Sequence, residues 1–419
     1  MKKIFLSLAC VMAAVAFIPG ASALPLFSRQ TGMGCYACHF NHIPLLNAFG
    51  RSFKSAGYSL MGAQGKVEGE NLSIPNTLNL GAMATLGYEK QQNTQGKWSW
   101  PSSGGELTIA YGGRIMDNTG FLADLGASGG NAATGAAKVL WLPELATNHQ
   151  LGLVFDANNG QGVAHGFELL NTGAVNVQKI VIGQTHVNAY SAAQWMGTNN
   201  ATTGVSLVGL NGMGFFNFTA YDVVPQALGM GATNLPLQYG RLAGTFDAAG
   251  LDIGVGVQRW MGRSNAVQFN TLQTTMLAGN YDATVIDTQA QGEVAGMPTG
   301  LYASYGIAPK SSMFGQGITP SVATPVVGNA FSAKSLNLGL DMNVGHELIA
   351  LAGFRQATNG ADNKSDNAFM FGVIYVIAQN VQIHATHTNN FGDHYNLAAG
   401  GAGTPIGKAT TSLLAEILF

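Results

Sequence analysis

The sequence predicts a mostly β fold: a transmembrane antiparallel β-barrel of about 16 strands with a small helical domain ahead of it. Three observations carry this. Apolar residues alternate with small or polar ones in segment after segment, the period of two that belongs to a strand. Only 10% of the 419 residues are charged, against about 25% in an ordinary soluble protein. Beyond the amino terminus no apolar run reaches the roughly 18–20 residues that a spanning helix requires. A net charge of −2 without a basic cluster excludes a nucleic-acid partner. A hydrophobic content of 47% excludes a disordered chain.

The first element is an export signal. Lys2 and Lys3 precede the apolar run Ile4–Ile18, and Gly20-Ala21-Ser22-Ala23 supplies an Ala-x-Ala cleavage site. Residues 1–23 are therefore expected to be removed, taking Cys10 with them and leaving Cys35 and Cys38.

Residues 24–74 form the second element, a small cytochrome c domain. Cys35-Tyr36-Ala37-Cys38-His39 is a C-x-x-C-H sequence. In an exported chain this spacing lets two thiols add to the vinyl groups of haem while the adjacent histidine becomes the proximal iron ligand. A redox dithiol would not need His39, and a zinc site would need two further ligands. One covalent haem c is expected, on Cys35 and Cys38, with His39 at the iron. Met61 is the expected sixth ligand; Met33, His42 and an open position are the rivals. A helix is expected from Pro44 in its first turn to Gly57 just past its end. Leu45, Leu46, Phe49 and Phe53 would share a face, with Phe49 and Phe53 packing on haem. Arg29 and Arg51 are candidates to pair with the haem propionates. So short a domain usually needs a staple, which covalent haem would provide.

Residues 75–419 form the third element, the barrel, with the haem domain plugging its lumen. Alternation runs through Leu78–Tyr88, Leu107–Tyr111, Phe121–Leu125, Leu151–Phe155, Leu251–Val257 and Leu336–Leu340, and Gly/Asn/Thr/Ser stretches such as Gly197–Gly204 read as loops. The ten-residue run Phe369–Ala378 is too short for a spanning helix and fits a tilted membrane strand. In the last segment Leu413, Ala415, Ile417 and Phe419 share a face. Only helices and closed barrels satisfy every backbone group in hydrocarbon, so an exported, helix-poor chain of this kind belongs in a bacterial outer membrane. Apolar positions would face lipid, and an uncharged lumen would take Gly, Asn, Gln and Thr. His384 should face the lumen and His387, three residues on, the other side of the strand. With Asp393 and His394 they read as lumen and loop residues rather than a metal site.

The block Phe27-Ser28-Arg29-Gln30-Thr31-Gly32-Met33-Gly34 before the haem motif, and Pro44-Leu45-Leu46-Asn47-Ala48-Phe49-Gly50-Arg51-Ser52-Phe53-Lys54 with Gly57-Tyr58 after it, carry a resemblance. They resemble the outer-membrane monohaem c-type cytochrome–porin fusions of iron-oxidising bacteria. The match is close over residues 25–60; beyond that it extends only to architecture, length and the terminal Phe419. That final aromatic resembles the assembly signal of outer-membrane barrels. The resemblance implies an iron oxidase: an electron-transfer oxidoreductase that oxidises Fe(II) at the cell surface and passes electrons to a periplasmic c-type cytochrome. The alternatives are a porin or receptor whose haem domain is a plug or redox sensor, or a conduit with another donor.

Overall fold

A computed structural model describes residues 25–70, 72–100, 106–128, 131–173, 178, 180, 191–224, 234–268, 276–315, 328–345, 347–378, 380–393 and 409–419. The export signal and cleavage site, and His394, lie outside the described residues.

Sixteen long strands, all antiparallel to their neighbours, close into one barrel running from Leu80–Gln91 to Ala409–Leu418. The last strand pairs with the first, Leu413 opposite Tyr88 and Ile417 opposite Ala84, so no edge is left unpaired. Three short strands, Lys97–Ser99, Glu144–Ala146 and Met276–Asn280, extend the wall at its rims, and a hairpin of Lys66–Gly69 and Leu72–Pro75 precedes it. The segment Gly197–Gly204 is not all loop: the strand Thr202–Asn211 begins inside it.

The two ends of the barrel differ. At one end the strands are joined by tight turns. Ala249-Gly250 and Ala295-Gly296 are two-residue turns with both φ positive, 53° and 78°, then 52° and 79°. That is the twist-matched hairpin geometry. At the other end the connections are long, as between Asn158 and Thr202 or Ala308 and Ala333. Outer-membrane barrels place short turns in the periplasm and long loops outside.

Burial is inverted relative to a soluble protein. Phe218, Leu242, Ile286 and Phe371 on the outer face are 49%, 61%, 54% and 57% exposed. Buried polar residues such as Asn217, Gln258, Asn337 and Thr388 line the inside. Facing hydrocarbon rather than water, the outer band is in its favourable environment. The ten-residue run near the end is the strand Ala368–Ala378. Leu413, Ile417 and Phe419 are exposed on the outer face, and His384 lies inside with 1% exposure. His387 lies on the opposite face, its Nδ1 2.8 Å from the Thr411 hydroxyl.

The lumen is not uncharged, contrary to the expectation from composition. Arg241 donates to both Asp287 oxygens, at 2.5 and 2.9 Å, and its Nε lies 2.9 Å from Glu168. Arg355 pairs with Asp366 at 2.7 Å, and Lys138 donates to the His165 carbonyl at 2.7 Å. Several of the chain's charges are gathered inside as pairs, which offsets part of their desolvation cost.

Among the described residues, two long stretches of chain fold into the interior. Residues 159–173 and 191–201, between wall strands, fold inward. Phe167 and Leu170 are fully buried there, Asn217 donates to the Phe167 carbonyl at 2.9 Å, and Thr172 donates to Asp287 at 2.6 Å. The second stretch is residues 25–62, with helices α1 (Pro25–Thr31) and α2 (Ala48–Ser55). Its polar groups reach opposite sides of the wall. Gln30 meets Asn79 and Arg114, Asn41 meets Asp341, and Arg51 pairs with Asp252. Helix α2 starts at Ala48 and not at Pro44, because the Asn47 side chain caps it by accepting from Gly50 N at 2.9 Å. Pro44 lies in the preceding loop. Gly57 stands just past the helix end with φ 64°, as expected.

Candidate functional site

The C-x-x-C-H residues form one tight turn. Cys35–Ala37 is a single 3-10 turn in which Cys38 N and His39 N both donate to the Cys35 carbonyl, at 3.1 and 3.0 Å. The two thiols and the imidazole therefore stand on adjacent positions of one loop. Cys35 is buried against Ile43, Leu418 and Met83; Cys38 and His39 are half-buried.

His39 is held by one nitrogen. Its Nδ1 lies 3.1 Å from the Leu45 carbonyl. A ring that donates from Nδ1 keeps the Nε2 lone pair for a metal, the arrangement a proximal ligand needs. Burial pushes the His39 pKa below its ordinary value, which favours the neutral ring. Burial, then the neighbouring Cys35, raises the Cys38 thiol, so it stands protonated. Burial and Cys35 also push the Tyr36 hydroxyl up to about 12. His42 is pushed down to about 4, chiefly by burial.

Two residues that sequence reasoning missed hold the segment that carries this turn. Asn47 caps α2 with its oxygen and donates from Nδ2 to the Ala37 carbonyl at 3.0 Å, so one side chain joins helix and haem motif. Gln30 is fully buried and makes four bonds. It donates to the Tyr58 and Leu60 carbonyls at 2.6 and 2.7 Å and accepts from Asn79 and the Arg114 amide at 3.0 and 3.1 Å. An Asn ahead of a helix-forming run is a readable cap signal; nothing local marks Gln30. From the inward segment 159–173, Asn171 brackets Leu46 with two reciprocal bonds, at 2.9 and 3.0 Å.

Helix and motif touch through Gly50. A Cβ there would stand 2.1 Å from the Cys38 carbonyl oxygen and 3.0 Å from its carbon. Both are backbone atoms that cannot swing away. Gly50→Ala should therefore unseat α2 from the motif, raising amide exchange over residues 35–55 by roughly tenfold or more while wall strands are unchanged. Unchanged exchange over 35–55 would contradict this packing.

The other expected residues fall at different distances from the turn. Arg29 donates to the Leu80 carbonyl, and Arg51 pairs with Asp252 and reaches Gln291, so in this geometry both guanidinium groups meet the wall. Phe53 is 4% exposed and packs with Phe27 and Tyr58, its ring centroid 5.0 Å from Phe27 and 5.8 Å from Tyr58. Phe49 is 38% exposed. Met61 lies in the loop tied back to α1 by Gly62 N donating to the Gln30 carbonyl at 3.1 Å, and Met33 is 41% exposed. Among the described residues no group of three or more His, Cys, Asp or Glu side chains is arranged to hold a metal ion directly. The donor set at residues 35–39 instead suits a covalently attached haem: two thiols and one pre-oriented imidazole.

The closed sixteen-strand wall, its apolar outer band and its unequal ends define the class: a porin-like barrel of the bacterial outer membrane. No family model matches the sequence, and no curated protein does. Among solved structures, OprB of Pseudomonas putida, in its high-pH form, superposes with a TM-score of 0.52 at 8% identity, over 81% of this chain and 93% of that one. The anion-selective porin from Comamonas acidovorans gives 0.48 at 11%, over 82% and 99%. The loop L8 deletion mutant of OmpT from Vibrio cholerae gives 0.48 at 11%, also over 82% and 99%. At such identities the likeness to OprB concerns the fold alone.

Proposed function

We propose that this chain is an outer-membrane electron-transfer oxidoreductase that takes electrons from Fe(II) outside the cell and delivers them to a c-type cytochrome in the periplasm. The observation that carries the reading is the C-x-x-C-H turn held inside the barrel, with the His39 Nδ1 on the Leu45 carbonyl and its other nitrogen kept for iron. A haem c bound there would supply a one-electron centre.

The chain's own residues do the rest. Cys35 and Cys38 would hold the group covalently. The Leu45 carbonyl orients His39, and Asn47 fixes the turn on α2. Asn41, Arg51 and Lys54 anchor the segment to Asp341, Asp252 and Gln178. The contacts with Asp252 and Asp341 lie toward the short-turn end, which suits delivery to a periplasmic carrier. Each Fe(II) that becomes Fe(III) releases one electron, and the acceptor cytochrome gains it. The outer band contacts membrane lipid.

A second reading is a porin or receptor whose haem segment is a plug or redox sensor; the porin-like barrel favours it. One titration separates the two. Fe(II) added to the purified, oxidised protein is expected to bring up the reduced-haem absorption band. No reduction at any pH from acid to neutral, combined with liposome swelling by small solutes, would overturn the electron-transfer reading.

A further inference from the structure

We propose that the short-turn end of the barrel is a docking face for a cationic partner, a soluble periplasmic protein with a lysine-rich surface, which seats on a rim of carboxylates around the segment that carries Cys35–His39. This rests on the electron-transfer reading and adds the charge that the acceptor presents.

The two ends of the barrel carry opposite charge. Asp117, Glu144, Asp247, Glu293 and Glu347 are exposed, each in or beside a different connection at the short-turn end. Glu68 and Glu70 add to them from the hairpin that precedes the wall. Among the described residues, the exposed Lys and Arg side chains at this end are Lys66, paired with Glu68 at 3.1 Å, and Arg29, which donates to the Leu80 carbonyl. Asp117 pairs with the buried Arg114 at 2.9 Å. No ion pair reaches Glu144, Asp247, Glu293 or Glu347 among the described residues. At the long-connection end the sign reverses: Lys90, Lys97, Arg263, Lys310 and Lys334 are exposed there. A net charge of only −2 conceals this separation.

The second observation concerns what the rim surrounds. The segment 25–62 is tied to the short-turn end from four sides. The Asn118 amide donates to Ser59 Oγ at 3.2 Å, Arg51 pairs with Asp252, Asn41 donates to the Pro298 carbonyl at 3.2 Å, and Cys35 packs on Leu418. Each of these wall residues lies at a turn or strand end on that side. Met33 and Tyr36, on either side of Cys35, are 41% and 42% exposed. The segment therefore presents apolar surface beside Cys35, inside a ring of unpaired carboxylates.

An apolar centre within a polar rim is the anatomy of a protein interface. Charge of one sign around it steers a partner of the other sign and repels its own. Solubility alone would be served by either sign at either end. The segregation of sign is what selects a cationic partner for this end.

The test measures binding to the full chain in detergent, with two probes: a lysine-rich c-type cytochrome, and the same protein with its lysines succinylated. The native probe should associate roughly tenfold faster or more, and salt should remove most of that advantage. E144Q/D247N/E293Q/E347Q should slow association of the native probe roughly tenfold with dissociation nearly unchanged. Heat-dependent gel mobility checks that this variant is a folded barrel, and the salt series on wild type needs no variant. D362N/D393N, which neutralises exposed acids at the other end, should associate as wild type does. M33S should leave association unchanged and raise dissociation several-fold. Equal association of the two probes, wild-type association in the folded quadruple variant, or an equal loss in D362N/D393N would each overturn the docking face. Unchanged dissociation in M33S would also overturn it, since capture by charge alone would remain. Binding needs no electron transfer, so the two readings fail separately. Charge-dependent docking without reduction by Fe(II) would overturn the electron-transfer reading and leave the face standing. Reduction by Fe(II) without charge-dependent docking would overturn the face alone.

Discussion

A C35A/C38A variant is expected to lose covalent haem completely, and with it all reduction by Fe(II), while the barrel still assembles. The two effects separate because they rest on different interactions. The wall is held by strand ladders that close on themselves, Leu413 on Tyr88 and Ile417 on Ala84, and none of these pairs involves residues 35–39. The proposed haem attachment would depend wholly on two thioethers. Cys35 alone lies in a buried cluster with Ile43 and Leu418, where alanine costs about 1 kcal/mol of packing, too little to unfold the wall. Haem staining after denaturing electrophoresis reads the first outcome, and heat-dependent gel mobility reads the second. Haem retained on the double variant would exclude the attachment chemistry proposed here.

Replacing Arg241 by methionine should destabilise the interior by about 3–5 kcal/mol. Its guanidinium is fully buried, is bidentate to Asp287 and ion-paired to Glu168. Without it, two carboxylates face one another away from water. Glu168 also accepts from Leu170 N at 2.8 Å, and Thr172 donates to Asp287, so the loss falls on the inward segment 159–173. R241M should therefore admit protease to that segment and raise solute leakage, with a lowered denaturant midpoint. The triple change R241M/D287L/E168L should recover most of the midpoint, because no uncompensated charge is left. R241M within about 1 kcal/mol of wild type would contradict the assignment of the pair as buried and structural.

The wall was legible in the sequence and the interior was not. Period-two alternation exposes the outward face, since lipid accepts only apolar residues, and so Leu336–Leu340, Phe369–Ala378 and the final Leu413–Leu418 each fall on strands. Length divided by the reach of a strand and its turn gave the strand number. The inward face carries no such rule. Arg241 finds Asp287 46 residues away, and Arg51 finds Asp252 201 residues away. Nothing local announces either pairing. Scarce charge was therefore read as an uncharged lumen, when several of the charges are paired inside it. The turn at Cys35–His39 stood out in the sequence because haem attachment would require those residue types at that spacing. The supports of the segment around it were not: Gln30 and Asn171 act through backbone groups that only the fold brings near. The helix start was misplaced because Pro44 and Asn47 are both start signals, and the cap at Asn47 prevails.

The central claim is that the proposed haem carries electrons from Fe(II) outside across this barrel, rather than Fe(II) itself passing through. Proteoliposomes containing the haem-loaded chain, with oxidised c-type cytochrome and a ferrous chelator trapped inside, test it directly. Fe(II) is added outside. The account predicts reduction of the trapped cytochrome with no ferrous complex forming inside. Complex formed inside before or alongside reduction, or no reduction at all, would contradict it.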